Sequence, residues 1–319
     1  MSTLTVRVPA STSNLGPGFD LIGLALSLFL EVSARPTGRA GPHRIERAEG
    51  EAADWPSEEN RLLVAFDLAR GALGANALGA NKDRHEAFAF TVRSEIPIAR
   101  GLGASASATA AGLLLGSAAS GAPLGPDELL ALGIELEGHP DNIAPTLLGG
   151  CRLCLPDSPT TPAESKPPLV VHQAIHPSLA FALAWPEHRI ATKQARAGLP
   201  LAVPFADAVE NPRRLAILLE GLRSGDPELL AAGGEDRLHV ARRLERIPGG
   251  AEAIAAARRS GAFLATVSGS GSALVAIASP DAAGAAAEAM AGALRAASGT
   301  GTGMVADLVE EPPRVQGGA

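Results

Sequence analysis

A glycine-rich turn at residues 101–103 precedes a run of small, helix-compatible residues. The first N–H groups of a helix have no partner within the helix and lie at the positive end of its dipole, so they favour an anion, most often a phosphate. Gly101 and Gly103 lack the Cβ atoms that would keep a phosphate away from the backbone. Ser105 and Ser107 add hydroxyl groups that can bond a phosphate oxygen or a metal-bound water. The pattern taken alone fits an ordinary turn before an alanine-rich core helix equally well.

Two familiar nucleotide-binding motifs are absent from this stretch. The P-loop motif needs a Gly-Lys pair, and none occurs in the chain. The dinucleotide fingerprint needs three glycines in the pattern G-x-G-x-x-G, whereas the sequence here is G-L-G-A-S-A. A dinucleotide-dependent oxidoreductase is therefore excluded in practice, and the function must be sought in the rest of the chain.

Two further segments concentrate side chains that can bind or orient a substrate. Residues 10–20 form a polar turn with Asn14 and Asp20, although both residue types also favour turns for conformational reasons. Residues 137–142 read Glu-Gly-His-Pro-Asp-Asn, which places carboxylate, imidazole and amide groups just after a predicted helix. An apolar run follows at once, so we expect these groups to face an interior cleft, the alternative being a surface turn.

The composition narrows the functional class. The chain has 319 residues, of which 46% are hydrophobic and 19% charged, enough for one large domain or two ordinary ones. Aromatic residues are only 3%, with no tyrosine, and the net charge is −7, which argues against a nucleic-acid partner. There is no basic segment followed by a long apolar one at the N-terminus, and the apolar residues 21–30 are too few to span a bilayer. These features predict a soluble cytoplasmic protein.

The two cysteines, Cys151 and Cys154, form a C-x-x-C pattern in a predicted strand. No second pair is available for a zinc site, and residues i and i+3 of a strand point to opposite faces. We expect two buried thiols in a reducing compartment, rather than a redox or metal centre.

Hydrophobic periodicity and turn residues predict a mixture of strands and helices. Ser57 is the candidate N-cap of the first helix, and the proline-rich residues 156–168 are read as a linker or an exposed hairpin tip. The predicted strands are 4–8, 21–35, 86–92, 169–176, 179–186, 262–267, 273–278 and 304–308. The predicted helices are 54–73, 126–138, 205–223, 228–246, 251–259 and 281–298. We expect a loose tail after residue 308.

Several segments resemble one family, the GHMP small-molecule kinases, and within it the homoserine kinases. The glycine loop is the motif of the superfamily, whereas Asn-Leu-Gly-Pro-Gly-Phe-Asp at 14–20 and Glu-Gly-His-Pro-Asp-Asn at 137–142 are specific to homoserine kinases. The matching segments, in order along the chain, are 8–23, 97–107, 137–150, 192–200, 236–239 and 267–272.

The resemblance implies an α+β fold of two domains with the active site between them. The N-terminal ATP-binding domain, residues 1–155, would be like ribosomal protein S5 domain 2, and the C-terminal kinase domain, residues 169–311, would be ferredoxin-like. The resemblance also implies phosphoryl transfer from ATP to the hydroxyl of L-homoserine in threonine biosynthesis, with Mg²⁺ as cofactor, and a homodimer.

The resemblance further implies roles for individual residues. The substrate-binding set is Asn14, Asp20, His139, Asn142, Arg196 and Arg237. The ATP-binding set is Pro97, Ile98, Ala99, Arg100, Gly101, Leu102, Gly103, Ala104, Ser105, Ala106 and Ser107. The catalytic set is Asp141, Asn142 and Thr192, and the role of Asp141 as base or charge stabiliser stays open. Ser105 and Glu137 are preferred for the metal, with Glu135 as the alternative to Glu137.

These residue types suit homoserine, a short zwitterion with one hydroxyl. Its carboxylate matches guanidinium groups, here Arg196 and Arg237, and its ammonium matches the carboxylate of Asp20. Thr192 can bond the transferring phosphate. A hydroxyl and one carboxylate suit Mg²⁺, which takes few protein ligands.

Two positions depart from the family pattern. Ala104 stands where the family often has a serine, and Ser-Gly-Ser-Gly-Ser at 268–272 replaces a more usual Ser-Gly-Ala-Gly-Pro. Neither change removes a charged group, so we expect activity to survive. The rival hypotheses are a GHMP kinase for mevalonate, shikimate or a sugar, whose substrates lack the zwitterion, and a non-catalytic amino-acid or nucleotide sensor on the same fold.

Overall fold

The chain folds around two β-sheets, each flanked by helices. The computed structural model describes five stretches: 2–55, 60–72, 86–121, 123–155 and 169–317. The predicted cap at Ser57 and the proline-rich stretch 156–168 lie outside these residues. Within the described stretches, no helix combines the length and apolarity needed to cross a membrane.

The first sheet has six strands: β1 (Leu4–Ser13), β2 (Ile22–Ala40), β3 (Arg44–Gly50), β4 (Glu86–Ser94), β5 (Cys151–Leu155) and β6 (Leu169–Gln173). Their order is β3-β4-β2-β5-β6, and β1 also pairs with β2. The long β2 is antiparallel to three neighbours, because its start pairs with β5, its later part pairs with β4, and β1 runs along it. The sheet therefore extends past the expected domain boundary, since β6 begins at Leu169.

Helices cover the first sheet: α1 (Arg61–Ala72), α2 (Ala104–Ala119), α3 (Pro126–Glu137) and α4 (Pro140–Leu148). The small side chains of α2 allow close packing, and most of its residues are buried. The predicted start of α3 at Pro126 is confirmed, with Glu128 Oε2 accepting a hydrogen bond from Gly125 N at 2.7 Å. α4 was not expected, because its proline at the first position and its polar first turn resemble a loop in the sequence.

The predicted helix over 54–73 begins later than expected. Glu51–Asp54 form a single 3₁₀ turn, and α1 starts at Arg61. Asn60 Oδ1 accepts a hydrogen bond from Leu62 N at 3.0 Å, which is the role of a helix cap.

The second sheet has four antiparallel strands: β7 (Ala180–Trp185), β8 (Leu264–Val267), β9 (Leu274–Ala278) and β10 (Thr302–Ala306). Their order is β10-β7-β9-β8. The helices of this half are α5 (Thr192–Ala197), α6 (Phe205–Ser224), α7 (Pro227–Gly233), α8 (Val240–Leu244), α9 (Gly250–Arg259) and α10 (Pro280–Ser298). A core made largely of alanine lies between this sheet, α9 and α10.

The prediction of one helix over 228–246 is wrong. α7 ends at Gly233, and α8 begins only at Val240. Between them the carboxylate of Asp236 accepts hydrogen bonds from Leu238 N at 3.0 Å, His239 N at 2.7 Å and Val240 N at 2.8 Å. Aspartate competes in this way with helical hydrogen bonds, so it starts α8 instead of continuing α7.

The expected end of the first strand at Pro9 is also wrong. β1 continues to Ser13, and the pairing with β2 shifts between Pro9 and Ala10, as at a β-bulge. Residues 11–13 therefore belong to the sheet, and the polar turn begins only at Asn14.

The tail after residue 308 is not loose. Val309 N donates to Ala25 O at 3.0 Å, and Gly150 N donates to Val309 O at 2.7 Å. Further along, Gln316 N donates to Thr5 O at 2.8 Å. The segment that follows β10 of the second sheet is thus bound to β1 and β2 of the first.

Candidate active site

The glycine turn and the start of α2 form one wall of a cleft. Gly101 and Gly103 adopt left-handed φ angles of 78° and 71°. A Cβ at Gly101 would lie 2.2 Å from Ser268 O, and one at Gly103 would lie 2.1 Å from Ser11 Oγ, so both positions require glycine. Gly103 is the N-cap of α2 and supplies no capping side chain, which leaves the first-turn N–H groups available for an anion.

The floor of the cleft is built by β1 and the first turn of α4. Ser11 Oγ donates to Asn142 Oδ1 at 3.0 Å, and Asn142 Nδ2 donates to Ser13 Oγ at 3.1 Å. Residues i and i+2 of a strand share a face, so both serines reach one amide. Ser13, which lines the cleft, was missed as a site residue, although the alternation of Ser-Thr-Ser was visible in the sequence.

His139 and Asp141 form a close pair at the start of α4. His139 Nδ1 lies 2.6 Å from Asp141 Oδ1, and the Asp141 side chain is only 3% exposed. Burial opposes the charged form of each group, but their hydrogen bond and mutual attraction outweigh it. The pKa of Asp141 is therefore lowered and the pKa of His139 is raised. Asp141 is ionised at neutral pH, which makes it a weak proton acceptor.

Glu137, the last residue of α3, directs its carboxylate toward the start of α2. Glu137 Oε1 accepts hydrogen bonds from Ser105 Oγ at 2.9 Å and from Thr109 Oγ1 at 2.7 Å. Glu135 is exposed and does not line the cleft. Among the residues described, no three His, Cys, Asp or Glu side chains cluster together. Beside the start of α2, the cleft has the carboxylate of Glu137 and the exposed hydroxyl of Ser105.

Arg196 and Asp20 are paired at the other side of the cleft. Two guanidinium nitrogens of Arg196 donate to the two carboxylate oxygens of Asp20, and this pair of bonds raises the pKa of Arg196. Asn14 Oδ1 accepts from Asp20 N at 2.9 Å, and Asn14 Nδ2 donates to Gly269 O at 3.1 Å. Asn14 and Asp20 have φ angles of 75° and 55°, a region that Asn and Asp tolerate better than most residues. The turn over 14–20 therefore presents Asp20 to Arg196.

Arg243 is a cleft residue that was not predicted. Its side chain is buried, donates to Gly269 O, and has its Cζ 5.3 Å from the centre of the Phe19 ring. Burial lowers the pKa of Arg243 to about 10, although Asp20 opposes this shift. Arg243 Nε has no hydrogen-bond partner within the described residues. A buried guanidinium with an unused N–H is suited to an anionic ligand.

Arg237, in contrast, lies outside the cleft. Its side chain is exposed, and Asn211 Oδ1 accepts a hydrogen bond from its backbone N–H at 2.8 Å. The structure does not bring Arg237 and Arg196 together. The second guanidinium of the cleft belongs to Arg243, which lies in α8.

The other predicted residues divide by position. Those that line the cleft are Asn14, Asp20, Ala99, Gly101, Gly103, Ala104, Ser105, Ala106, Glu137, His139, Asp141, Asn142 and Arg196. Pro97, Ile98, Arg100, Leu102 and Ser107 do not line it. Ser107 Oγ donates to Pro9 O at 2.9 Å, so this hydroxyl serves the fold. Thr192 begins α5, and its side chain is outside the description.

The two cysteines match the expectation of buried thiols. Cys151 and Cys154 are both free and buried. Burial raises the pKa of both thiols, that of Cys154 to about 12, so neither forms a reactive thiolate at neutral pH.

Comparison with known proteins identifies the family. The family described as GHMP kinases N terminal domain matches residues 66–150, and GHMP kinases C terminal matches residues 218–296. A homoserine kinase of Moorella thermoacetica is 38% identical over 271 residues, which cover 85% of this chain and 86% of that protein. A homoserine kinase of a Synechococcus strain is 39% identical over 281 residues, which cover 87% and 84%. The chain belongs to the homoserine kinase family of GHMP kinases.

Solved structures of this superfamily share the fold. The crystal structure of homoserine kinase from Cytophaga hutchinsonii has a TM-score of 0.85 at 26% identity and covers 99% of this chain and 98% of its own. The L. major mevalonate kinase in complex with R-mevalonate has a TM-score of 0.69 at 15% identity, with 98% and 96% covered, which is a likeness of fold alone. The predicted family and the predicted α+β fold of GHMP kinases are confirmed, and the protein is an ATP-dependent kinase.

Proposed function

We propose that the protein transfers the γ-phosphoryl group of ATP to the hydroxyl of L-homoserine, as a step of threonine biosynthesis. The products are O-phospho-L-homoserine and ADP. The observation that carries the proposal is the presence in one cleft of the glycine loop, Asp20, Arg196 and Arg243. An anion site beside one carboxylate and two guanidinium groups suits a phosphate donor next to an α-amino acid. The homoserine kinases that match the chain over most of its length support the same substrate.

The phosphates of ATP are assigned to the loop 97–107 and the first turn of α2. Donation there comes from backbone N–H groups, together with the hydroxyl of Ser105. Ala104 in place of the family's serine removes one hydroxyl and no backbone donor, so the anion site is preserved.

The amino-acid part of homoserine is assigned to the charged side of the cleft. Its carboxylate binds Arg243, whose Nε is unused, and Arg196, while its ammonium binds Asp20. Binding exchanges the Asp20–Arg196 pair for new pairs with the substrate, so both half-buried charges keep a partner of opposite sign. Asn14 holds the turn that carries Asp20.

The transfer step depends mainly on positioning and electrostatics. The homoserine oxygen forms a bond to the γ-phosphorus, the bond from the γ-phosphorus to the β–γ bridging oxygen breaks, ADP leaves, and the hydroxyl proton passes to water. Asn142 and His139 are placed to orient the hydroxyl, and Thr192 is the candidate to bond the transferring group. Asp141 is assigned as a negative charge that orients His139 and raises the pKa of its imidazole, because the pKa of Asp141 itself is lowered.

Ser105 and Glu137 suit Mg²⁺. Glu137 Oε1 already gathers two hydroxyl donors, and Mg²⁺ takes one or two protein carboxylates along with water and phosphate oxygens. When bound, Mg²⁺ supplies positive charge that neutralises the phosphates.

Three broader features belong to the same proposal. Residues 1–155 and 169–311 are assigned to two domains, with 169–173 and 307–316 paired to the first sheet. A cytoplasmic location is supported by the two free thiols. A homodimer is supported by exposed apolar side chains at Leu155, Leu169 and Val171, near the outer strand β6.

The test is ADP release by the purified protein with ATP and Mg²⁺ across homoserine, serine, threonine, mevalonate, shikimate and galactose. Turnover with homoserine alone, abolished by EDTA, is the expected result. Turnover with another alcohol would replace the substrate assignment and keep the kinase. ATP binding without turnover on any of the six would favour a sensor.

A further inference from the structure

The side chain of Arg100 points away from the cleft, although the residue lies inside the glycine loop. Its guanidinium donates from Nε to Pro186 O at 2.8 Å, from Nη2 to Glu187 O at 2.9 Å and from Nη1 to Ile98 O at 3.1 Å. The side chain is only 7% exposed. The charge of Arg100 is thus directed at backbone carbonyls, and it is not presented to a phosphate.

The backbone of the loop is held by the same half of the molecule. Ile190 N donates to Ala99 O at 2.8 Å, and Ala273 N donates to Arg100 O at 2.8 Å. Ser268 Oγ donates to Gly101 O at 2.6 Å. Pro186 and Ile190 follow β7, while Ser268 and Ala273 lie between β8 and β9, so all of these partners lie in loops next to strands of the second sheet. The glycine loop precedes α2, which packs on the first sheet, and its backbone is therefore held by loops next to the second sheet.

We infer that Arg100 is a positioning residue for the nucleotide, which fixes the glycine loop against residues 186–187 so that the first-turn N–H groups of α2 meet the phosphates of ATP. The inference rests on the assignment of the ATP phosphates to this loop. It gives Arg100 a role through the loop, without contact between its guanidinium and the nucleotide.

The fork of the guanidinium group is what suits Arg100 to this role. Three carbonyls are reached at once by a planar group with donors in fixed directions, which the single ammonium of lysine does not reproduce. Burial lowers the pKa of Arg100, although the carboxylates of Glu51, Glu187 and Asp54 oppose this shift, and Glu51 Oε2 lies 4.0 Å from Nη1. A buried charge with three backbone acceptors is a costly arrangement to lose, because those carbonyls would be left without donors. Its loss removes the side-chain bonds that join the glycine loop to residues 186 and 187.

The experiment compares Arg100→Lys and Arg100→Ala with the unmodified protein and with Arg70→Ala. Arg70 is a matched control, because it is also partly buried with a lowered pKa and donates to a backbone carbonyl, Glu86 O, yet it lies in α1 and makes no bond to the glycine loop. Affinity for a non-hydrolysable ATP analogue is measured by calorimetry, without acceptor, together with KM for ATP, KM for L-homoserine and Tm.

We expect both Arg100 variants to bind the analogue and ATP about tenfold or more weakly, with KM for homoserine changed less than about threefold. Added ethylguanidinium should restore the affinity of Arg100→Ala for the analogue and leave Arg70→Ala unaffected. Arg70→Ala should lower Tm while keeping the affinity for the analogue.

The inference is overturned if Arg100→Lys binds the analogue within about twofold of the unmodified protein, or if nucleotide and homoserine affinities fall together as they would for general damage to the fold. Should Arg100→Ala fail to fold, Arg100→Lys alone decides between these results. The calorimetric measurement needs no acceptor, so a wrong assignment of homoserine would leave this test valid.

Discussion

The guanidinium of Arg196 holds the carboxylate of Asp20 by two hydrogen bonds, at 2.8 and 2.7 Å. The two residues are 176 positions apart, and one lies in the turn after β1 while the other lies in α5. Each group has the charge opposite to one end of an α-amino acid. Without substrate, Asp20 and Arg196 therefore neutralise each other. A bound amino acid can break this pair, because its ammonium pairs with Asp20 and its carboxylate with Arg196.

Asp20→Asn should raise KM for L-homoserine by about 10- to 100-fold, because an ammonium group loses a charge-assisted hydrogen bond. KM for ATP should change little, since Asp20 is not assigned to the nucleotide. Steady-state kinetics with each substrate varied in turn measures both values. A parallel rise in the two KM values would contradict the assignment.

Arg243→Ala should raise KM for homoserine by about 10-fold or more, because the carboxylate loses a buried guanidinium partner. Arg237→Ala is the matched control, since this arginine is close in sequence but exposed. It should keep KM near the unmodified value. If Arg237→Ala lost affinity for homoserine and Arg243→Ala kept it, the carboxylate of homoserine would have to be assigned to Arg237 instead.

Asp141→Asn should lower kcat by about 100-fold while KM for homoserine stays nearly constant, because the loss falls on the charge and orientation of His139 in the transition state. The substitution keeps the shape of the side chain. Unchanged kcat would confine Asp141 to a role in folding.

The His139–Asp141 pair should make stability depend on pH. The pKa of His139 is raised in the fold, so its contribution is complete below the unfolded value of about 6.5 and is lost as pH rises through the folded pKa. The pKa of Asp141 is lowered, so its contribution is present above about 3.9 and is lost as pH falls through the folded pKa. The difference in Tm between the unmodified protein and His139→Gln should therefore be largest between about pH 4 and 6.5 and shrink above this window. A difference independent of pH would refute the assigned pKa directions.

Glu137→Gln should raise the Mg²⁺ concentration needed for half-maximal activity by about tenfold or more, because a carboxylate ligand is replaced by an amide. Glu135→Gln is the control for a nearby exposed glutamate and should leave that concentration unchanged. Titration of activity with Mg²⁺ at fixed ATP distinguishes the two. Equal behaviour of the variants would remove Glu137 from the metal site.

Local patterns predicted the elements that depend on nearby residues. The glycine turn at 101–103 and the proline start of α3 follow from backbone rules that act within a few residues, and both were found. The family motifs also identified most of the residues that line the cleft, from Asn14 to Arg196.

Features that depend on distant partners were not predictable in the same way. Arg237 and Arg243 both lie within the predicted helix 228–246, whereas the turn at Asp236 places Arg237 before α8 and Arg243 inside it. Likewise, Ser13 becomes a site residue because β1 continues past a bulge at Pro9 and is covered by α4. Neither result can be read from periodicity, since the deciding contacts join separate parts of the chain.

The pairing of residues 307–316 with β1 and β2 has a consequence for how the protein is made. Thr5 is synthesised early, and its partner Gln316 leaves the ribosome some 300 residues later, an interval of about 15 to 60 seconds at ordinary rates of translation. Until then β1 and β2 lack these hydrogen bonds. The first sheet therefore stays incomplete while the strands of the second sheet are still being synthesised. The first sheet is therefore completed after the second sheet, although most of its strands come earlier in the chain.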